Sequence, residues 1–203
     1  TAYFTRPDKD RLTIIRLLQN TSEPVYLFNE TTTAWLELFA TPQWAQRVVA
    51  TWRQGHVISS SELETWIETD LGRLNKQQQA RIKEAAALTA YYHQADVPII
   101  PTLLSDDAPQ FRFIIPDHAL CWVHEGRHYK KLTPFIAYHQ QLLRKFLQQF
   151  WAYYHDLQAY RSHPTPERKG DLDQQFDKLF SQETGYDELD KRITKTKHKK
   201  DRL

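Results

Sequence analysis

The sequence is poor in several residue types on which particular protein classes depend. Its 203 residues include one cysteine, Cys121, which excludes an intramolecular disulfide framework and fits a reducing compartment. No apolar run approaches the roughly 18 residues of a membrane span, and the N-terminus lacks the apolar stretch of a signal peptide. We therefore expect a cytoplasmic protein that does not interact with a membrane.

Glycine and methionine are also scarce. The five glycines form neither a glycine-rich phosphate loop nor a Gly-x-Ser-x-Gly elbow, which argues against nucleotide-binding folds of those kinds. Methionine is absent altogether, even from position 1, where Thr1 stands. We interpret this absence as the sign of a chain cut from a longer reading frame.

The sequence does contain many aromatic residues, and its charges are unevenly distributed. With 40% hydrophobic residues, including 6 Trp, 10 Tyr and 10 Phe, the chain can bury a core. The net charge of +2 hides a gradient, because residues 1–120 carry 11 basic and 14 acidic groups, whereas residues 121–203 carry 16 and 11. The halves therefore differ, at −3 and +5. The basic half invites a polyanionic partner such as nucleic acid, and ordinary solvation is the alternative.

The first half is predicted to be mainly helical. Apolar spacing, capping signals and one short apolar run predict a helix over Asp8–Asn20 that Pro7 opens, a strand over Val25–Phe28, a helix over Thr31–Phe39, a helix from Thr41-Pro42 to about Arg53, and two helices that begin near residues 60 and 76. Residues 30–94 are thus expected to be nearly all helix.

The pattern changes after residue 94. Val97–Leu104 is predicted to be a buried strand, with two further short strands over Phe111–Ile115 and Ala119–Val123. The last third is predicted to be helical: a helix of about 25 residues from Ile136 that stops before Pro164, a helix over Glu167–Gln182 after Thr165-Pro166, and a final helix beyond Gly185. This last helix has no capping residue, so we expect the chain to stop within it.

The first candidate site is Ser105-Asp106-Asp107, directly after the predicted buried strand. Carboxylates at the carboxyl end of a strand can hold Mg²⁺ through one or two oxygens and leave other positions to water and phosphate. Adjacent residues on an extended segment point to opposite sides, so at most one of the two aspartates is expected to face the site. The alternative is an Asx turn that follows a strand.

The second candidate site lies within Cys121–Lys131. His124-Glu125-Gly126-Arg127-His128 matches the H-E-x-x-H pattern, in which two His bind Zn²⁺ and the Glu is the general base. Gly126 is a poor helix former and Arg127 would bring a cation close to the metal, which argues against a zinc peptidase. In the alternative, His124 and Arg127 are solvated at the start of a helix.

The C-terminal residues form a third candidate, because Lys191–Leu203 contains seven Lys or Arg and one acid, Asp201. We interpret this segment either as a solvated helix end or as a phosphate-contacting helix. The residues expected to contact nucleic acid are Lys130, Lys131, Lys195, Lys197, Lys199, Lys200 and Arg202.

Several segments together carry a resemblance to a known family. They are Ser-Asp-Asp-Ala-Pro-Gln-Phe at 105–111, Ala-Leu-Cys-Trp-Val-His-Glu-Gly-Arg-His-Tyr-Lys-Lys-Leu at 119–132, Trp151–Tyr154, Phe176–Phe180, Thr184–Tyr186 and Leu189-Asp190. The sequence resembles the central part of DDE transposases of bacterial insertion sequences of the sixty-six family and its relatives. The similarity extends from Tyr3 to Leu203, and its most specific element is the Asp-Asp block joined to Cys-Trp-x-His-x-x-Arg.

The resemblance implies a ribonuclease-H-like core in which two Asp and one Glu hold two Mg²⁺ or Mn²⁺ ions for cleavage and transfer of DNA strands. By position, Asp106 resembles the second acid, with Asp107 as the alternative if the register differs by one. His124 and Arg127 resemble the family's His and Arg near the scissile phosphate, and the H-E-x-x-H match would then be a coincidence. The implied partner is DNA at transposon ends, in the bacterial nucleoid, and assembly into a homo-oligomer is left open.

The sequence departs from the family at two of the three metal-binding acids, which affects the expected activity. The family's first Asp would lie upstream of Thr1 and its Glu beyond Leu203, so these residues keep one of three metal-binding acids. Because one acid cannot fix two metal ions, the isolated chain is expected to be inactive.

The predicted fold class is a mainly helical α/β chain. It comprises a partial ribonuclease-H-like core (1–29 and 95–131), a helical insertion (30–94) and a helical region (132–203) that ends in a basic helix. The function that follows is DNA transposition. A non-catalytic helical module that binds nucleic acid or protein is the first alternative, and a zinc peptidase is the second.

Overall fold

The computed structural model describes residues 8–39, 42–51, 55–71 and 74–203. These residues are mainly helical and contain two small sheets. The elements are α1 (Arg11–Gln19), β1 (Tyr26–Leu27), α2 (Glu30–Phe39), α3 (Pro42–Val49), β2 (Val57–Ile58), α4 (Ser60–Asp70), α5 (Lys76–His93), β3 (Thr102–Ser105), β4 (Asp117–Leu120), α6 (Trp122–Lys130), α7 (Ala137–Ser162), α8 (Pro166–Leu179) and α9 (Asp187–Lys197), with 3₁₀ turns at Pro109–Phe111 and Lys200–Arg202.

The described residues fall into two compact units, and the chain passes between them more than once. Unit 1 takes in the described parts of Thr1–Pro101 together with Ala108–Pro116. Unit 2 consists of Thr102–Asp107 together with Asp117–Leu203. Residues 30–94, which we expected to form an insertion, therefore lie in the same unit as α1. The short segment that carries Asp106 and Asp107 belongs with the C-terminal half.

Unit 1 is built on α5, against which α1, α2 and β1 pack. Its core includes Ile15, Leu36, Leu88 and Tyr91, all fully buried. The predicted helix starts near residues 60 and 76 are confirmed, because Ser59 with Glu62 and Asn75 with Gln78 form complete capping boxes. The strand predicted at Val25–Phe28 is confirmed in its centre as β1.

Three predictions for unit 1 need correction. The first helix begins at Arg11 rather than Asp8, because the Asp10 side chain caps it by accepting from the Thr13 amide. The stretch 30–94 also contains β2, which pairs antiparallel with β1. The predicted strand Phe111–Ile115 is wrong, since a 3₁₀ turn ends at Phe111 and Phe113 has a φ of 66°. Pro7, Thr41 and Arg53 lie outside the described residues.

The sheet of unit 2 consists of β3 and β4, which run parallel and align Thr102 with Asp117 and Ser105 with Leu120. The predicted buried strand Val97–Leu104 is therefore wrong at its start, because the strand begins only after Pro101, which has no amide to donate. It is also not buried, since Leu104 is exposed. The strand predicted at Ala119–Val123 lies two residues earlier, and α6 takes its last two positions.

The rest of unit 2 is an all-helical layer with an aromatic core. Its core joins α6, α7 and α8 through buried aromatic side chains, which are Tyr129, Phe146, Phe150, Phe176 and Phe180. The long helix predicted before Pro164 is confirmed as α7, with 26 residues, and the helix predicted after Thr165-Pro166 is confirmed as α8.

The C-terminal helix of unit 2 behaves differently from the prediction. It follows Gly185, whose φ of +82° separates it from α8 as expected. However, α9 ends at Lys197, and the following residues turn back instead of continuing the helix. The Trp122 indole then donates a hydrogen bond to the Leu203 carbonyl oxygen at 2.9 Å.

Candidate functional site

The candidate site lies where β3 and β4 end, because parallel strands bring their carboxyl ends to the same edge. Asp106 and Asp107 directly follow β3, and both are half-buried. Cys121, the residue after β4, donates its amide to the Ser105 carbonyl oxygen at 2.8 Å. Helix α6 begins at the next residue, Trp122. The two predicted site segments are thus neighbours in unit 2.

Asp107 is held by the C-terminal turn of the same unit. Its carboxylate lies 2.9 Å from the Lys199 ammonium and 3.7 Å from the Arg202 guanidinium. Arg202 also donates to His118 Nδ1 at 3.0 Å, so that the ring proton lies on Nε2, which is 2.7 Å from the Ser105 hydroxyl oxygen. Two cations beside Asp107 oppose the binding of a metal ion at that carboxylate.

Glu125, the acid of the H-E-x-x-H match, is directed into the protein. It is 4% exposed, and its carboxylate accepts from Thr196 at 2.6 Å, from Lys199 at 3.2 Å and from Arg192. Burial alone would raise the pKa of Glu125, but the Thr196 hydrogen bond and the charges of Arg192 and Lys199 outweigh burial and lower it.

This arrangement disfavours a zinc peptidase. A general base must reach the water on a metal ion, whereas Glu125 is enclosed by α9 and its flanking turn. The described part of the chain also contains no group of three His, Cys, Asp or Glu side chains that could hold a metal ion. The sequence match therefore has a structural explanation, in which Glu125 neutralises the buried cations of the C-terminal segment.

The other face of α6 is positively charged and exposed. His124, Arg127, His128 and Lys130 are all exposed, as is Lys131 just after the helix. Arg127 Nη1 lies 3.3 Å from His124 Nε2, so these two predicted site residues are adjacent. Burial and the nearby Arg192 charge lower the pKa of His128, so this ring carries less positive charge than an unshifted His would. Lys130 Nζ lies 5.1 Å from the Trp151 ring centroid.

Two further exposed cations, Arg144 and Lys145, follow on α7 and were not indicated by the sequence analysis. Residues 126–155 contain five Lys or Arg and no Asp or Glu. All five are exposed, and within the described residues none of them forms an ion pair. We call them the central basic stretch, which consists of Arg127, Lys130, Lys131, Arg144 and Lys145. Thirty residues without an acid are the signal that could have indicated Arg144 and Lys145.

The C-terminal basic segment, Lys191–Arg202, is arranged differently. Lys199 is shared by Asp107 and Glu125, while Arg202 lies beside Asp107. Lys200 pairs with Asp177 at 2.7 Å. Of the five residues expected here to contact phosphate, Lys195 and Lys197 are exposed on α9, and the other three have acidic partners within unit 2.

Comparison with known proteins finds one relative without an assigned function. The chain is 34% identical over 101 residues to the uncharacterized protein y4jO of Sinorhizobium fredii (strain NBRC 101917 / NGR234). The match covers 50% of this chain and 31% of that protein, so the chain spans about a third of the length of the curated relative it matches. No protein-family model and no solved structure matches.

One further property follows from the helices themselves. In the described ranges, even the longest helix lacks the apolar length that would be needed to cross a bilayer.

Proposed function

We propose that this chain is the DNA-contacting part of a DDE transposase, similar to the transposases of bacterial insertion sequences of the sixty-six family. The observation that carries the proposal is the central basic stretch: five exposed cations on and between α6 and α7 that form no ion pair within the described residues. Exposed cations of this kind attract the phosphate backbone of DNA, and each neutralised phosphate releases counterions.

The resemblance gives the remaining residues their roles in the proposal. Asp106 is assigned as a metal ligand, because carboxylate oxygens are the donors that Mg²⁺ and Mn²⁺ prefer. Asp107 is the weaker choice because Lys199 and Arg202 already neutralise it. His124 and Arg127 are assigned to the scissile phosphate. A bound pair of metal ions would activate water or a DNA 3′-hydroxyl for attack on a phosphodiester.

The binding part of the proposal is tested by titrating a labelled DNA duplex with the chain at several salt concentrations. The native chain should bind with an affinity that falls steeply with salt. The triple variant Arg127→Gln, Lys130→Gln, Lys131→Gln should reduce the slope of log affinity against log salt by about 3, since each phosphate contact contributes about 0.9.

A matched control keeps the same change in net charge. The variant Arg161→Gln, Arg168→Gln, Lys169→Gln removes three exposed cations from the end of α7 and from α8. It should leave the slope close to that of the native chain. An equal loss in both variants, or binding that does not respond to salt, would reject the central basic stretch as the DNA interface and favour a helical module that binds protein.

The catalytic part is tested by nicking of supercoiled DNA with Mg²⁺ or Mn²⁺. We expect no cleavage by this chain, because these residues carry one of the three acids of the implied triad and two metal ions need ligands from several elements. Robust nicking by the native chain would contradict the expectation that it is inactive. If Asp106→Ala abolished that nicking, the result would support Asp106 as the metal ligand.

A further inference from the structure

The turn between α6 and α7 exposes an unusual amount of apolar surface. Phe135 is 99% exposed, Ile136 53% and Tyr138 60%, whereas Phe146, Phe150 and Tyr153 farther along α7 are buried in the core. Burial of such rings is a main source of stability, so a fold that leaves two of them in water gives up that stabilisation. Contiguous exposed apolar residues generally mark a binding surface.

The turn is anchored by neighbouring contacts. The Gln140 side-chain amide donates to the Pro134 carbonyl oxygen at 3.2 Å, and the Gln140 backbone amide donates to the Ile136 carbonyl oxygen at 3.1 Å. The His139 ring stacks on Tyr186, with centroids 4.4 Å apart and planes 19° apart. Rings on an ordered support lose little conformational entropy when a ligand binds to them.

The charges on both sides of the turn indicate what binds there. Lys130 and Lys131 precede it, Arg144 and Lys145 follow it, all four are exposed, and the acid-free stretch 126–155 encloses it. A ligand that complements this region must be anionic and must also present flat apolar surfaces. Single-stranded nucleic acid combines both properties, because its phosphates pair with cations while its unpaired bases stack on aromatic rings.

We propose that the α6–α7 turn binds unpaired bases of a DNA strand, which stack on Phe135 and Tyr138 while the central basic stretch holds the neighbouring phosphates. In a regular duplex the base faces are covered by one another, so the rings would have no base to contact. The proposal rests on the proposed function and adds to it that the strand is recognised where its bases are unpaired.

The test compares two labelled probes, an oligothymidine of about 15 nucleotides and a duplex of the same length, by fluorescence anisotropy. Phe135→Ala and Tyr138→Ala should each weaken binding of the oligothymidine by about 5- to 150-fold, the range that one stacked base contributes. Both variants should leave duplex binding unchanged. Because both side chains are exposed, neither substitution should alter folding, and circular dichroism checks this.

Phe113→Ala is the matched control, since it removes an exposed ring from unit 1 and should change neither affinity. The proposal is overturned if Phe135→Ala and Tyr138→Ala bind oligothymidine as the native chain does, or if they lose both probes equally. It is also overturned if the chain forms dimers without nucleic acid that Phe135→Ala dissociates, because the turn is then a contact between copies. If duplex binding by the native chain depends on salt, but Phe135→Ala and Tyr138→Ala leave oligothymidine binding unchanged, only this inference is rejected. If the native chain binds neither probe, the proposed function is rejected as well.

Discussion

The two basic regions of unit 2 contain similar residues and use them in opposite ways. In the central basic stretch, the five cations are exposed, and none has an acidic partner within the described part of the chain. In the C-terminal basic segment, Arg192, Lys199, Lys200 and Arg202 are bound by Glu125, Asp107 and Asp177. The difference shows that the acids a fold brings nearby decide whether a cation is available to a ligand.

The two basic regions therefore have different roles within one unit. The C-terminal basic segment stabilises the fold, because its cations neutralise acids on α6, α8 and the end of β3. The central basic stretch is left for solvent or for a polyanion. The following predictions test this difference in roles, beginning with the largest expected effect.

Glu125→Ala should lower the free energy of unfolding by about 3 to 5 kcal/mol. The substitution leaves the mostly buried Arg192 without its carboxylate partner and Lys199 with Asp107 alone, and an uncompensated buried charge is costly. Urea unfolding followed by tryptophan fluorescence measures the change. Asp187→Ala, which removes an exposed partner of Lys191, is the control and should leave the free energy of unfolding nearly unchanged, because exposed ion pairs contribute little. Equal losses in the two variants would mean that the C-terminal basic segment does not stabilise the fold.

Gly126→Ala should destabilise unit 2 by about 1 to 3 kcal/mol. A Cβ at this position would lie 2.7 Å from the Trp151 ring and 2.9 Å from the Phe150 ring, so α6 would have to move away from α7. Gly170→Ala on α8 meets nothing within 4 Å and should stabilise the chain by up to about 1 kcal/mol through its helix propensity. Thermal unfolding of both variants gives the comparison, and a stabilised Gly126→Ala variant would disprove close packing there.

Lowering the pH should reduce the stability that the C-terminal basic segment contributes, because acid protonates Glu125. Because folding lowers the pKa of Glu125 below its usual 4.5, this carboxylate contributes stability that is fully present above pH 4.5 and is lost as the pH falls through its folded pKa. The difference in unfolding free energy between the native chain and Glu125→Gln should therefore narrow below pH 4.5. A difference that stays constant down to pH 3 would contradict the assigned charge state.

Lys195→Gln with Lys197→Gln should have the smallest effect. Both residues are exposed on α9, and the structure gives them no acidic partner within its described ranges, so the fold should keep its stability. If they contact DNA as the sequence predicts, the salt slope of duplex binding should fall by about 2. An unchanged slope would limit the DNA interface to the central basic stretch.

Local signals in the sequence predicted many elements of the fold correctly. Capping boxes at Ser59 and Asn75, the apolar spacing of α7 and the turn at Gly185 all depend on residues close together in the chain. The strand at Val97–Leu104 was misjudged because apolar composition outweighed the two prolines, which confine the strand to the residues after Pro101.

The candidate site was harder to predict, since its key contacts join distant residues. Asp107 and Lys199 are separated by 92 positions, and no local pattern indicates that they pair. The H-E-x-x-H spacing offered Glu125 as a general base only as an alternative, against which Gly126 and Arg127 already argued. The burial of Glu125 and its three partners on α9 and the following turn arise only in the folded chain. Charge counts along the sequence likewise could not show which cations of the C-terminal basic segment are paired.

The discontinuous course of the chain through the two units affects when each can fold during synthesis. Unit 1 includes Ala108–Pro116, so it can be completed only after Pro116 has left the ribosome. Strand β3 belongs to unit 2 and has to wait for β4, its parallel partner, which is made twelve residues later. Asp107 is thus translated well before Lys199 and Arg202, and it can form its ion pairs with them only after both have been made.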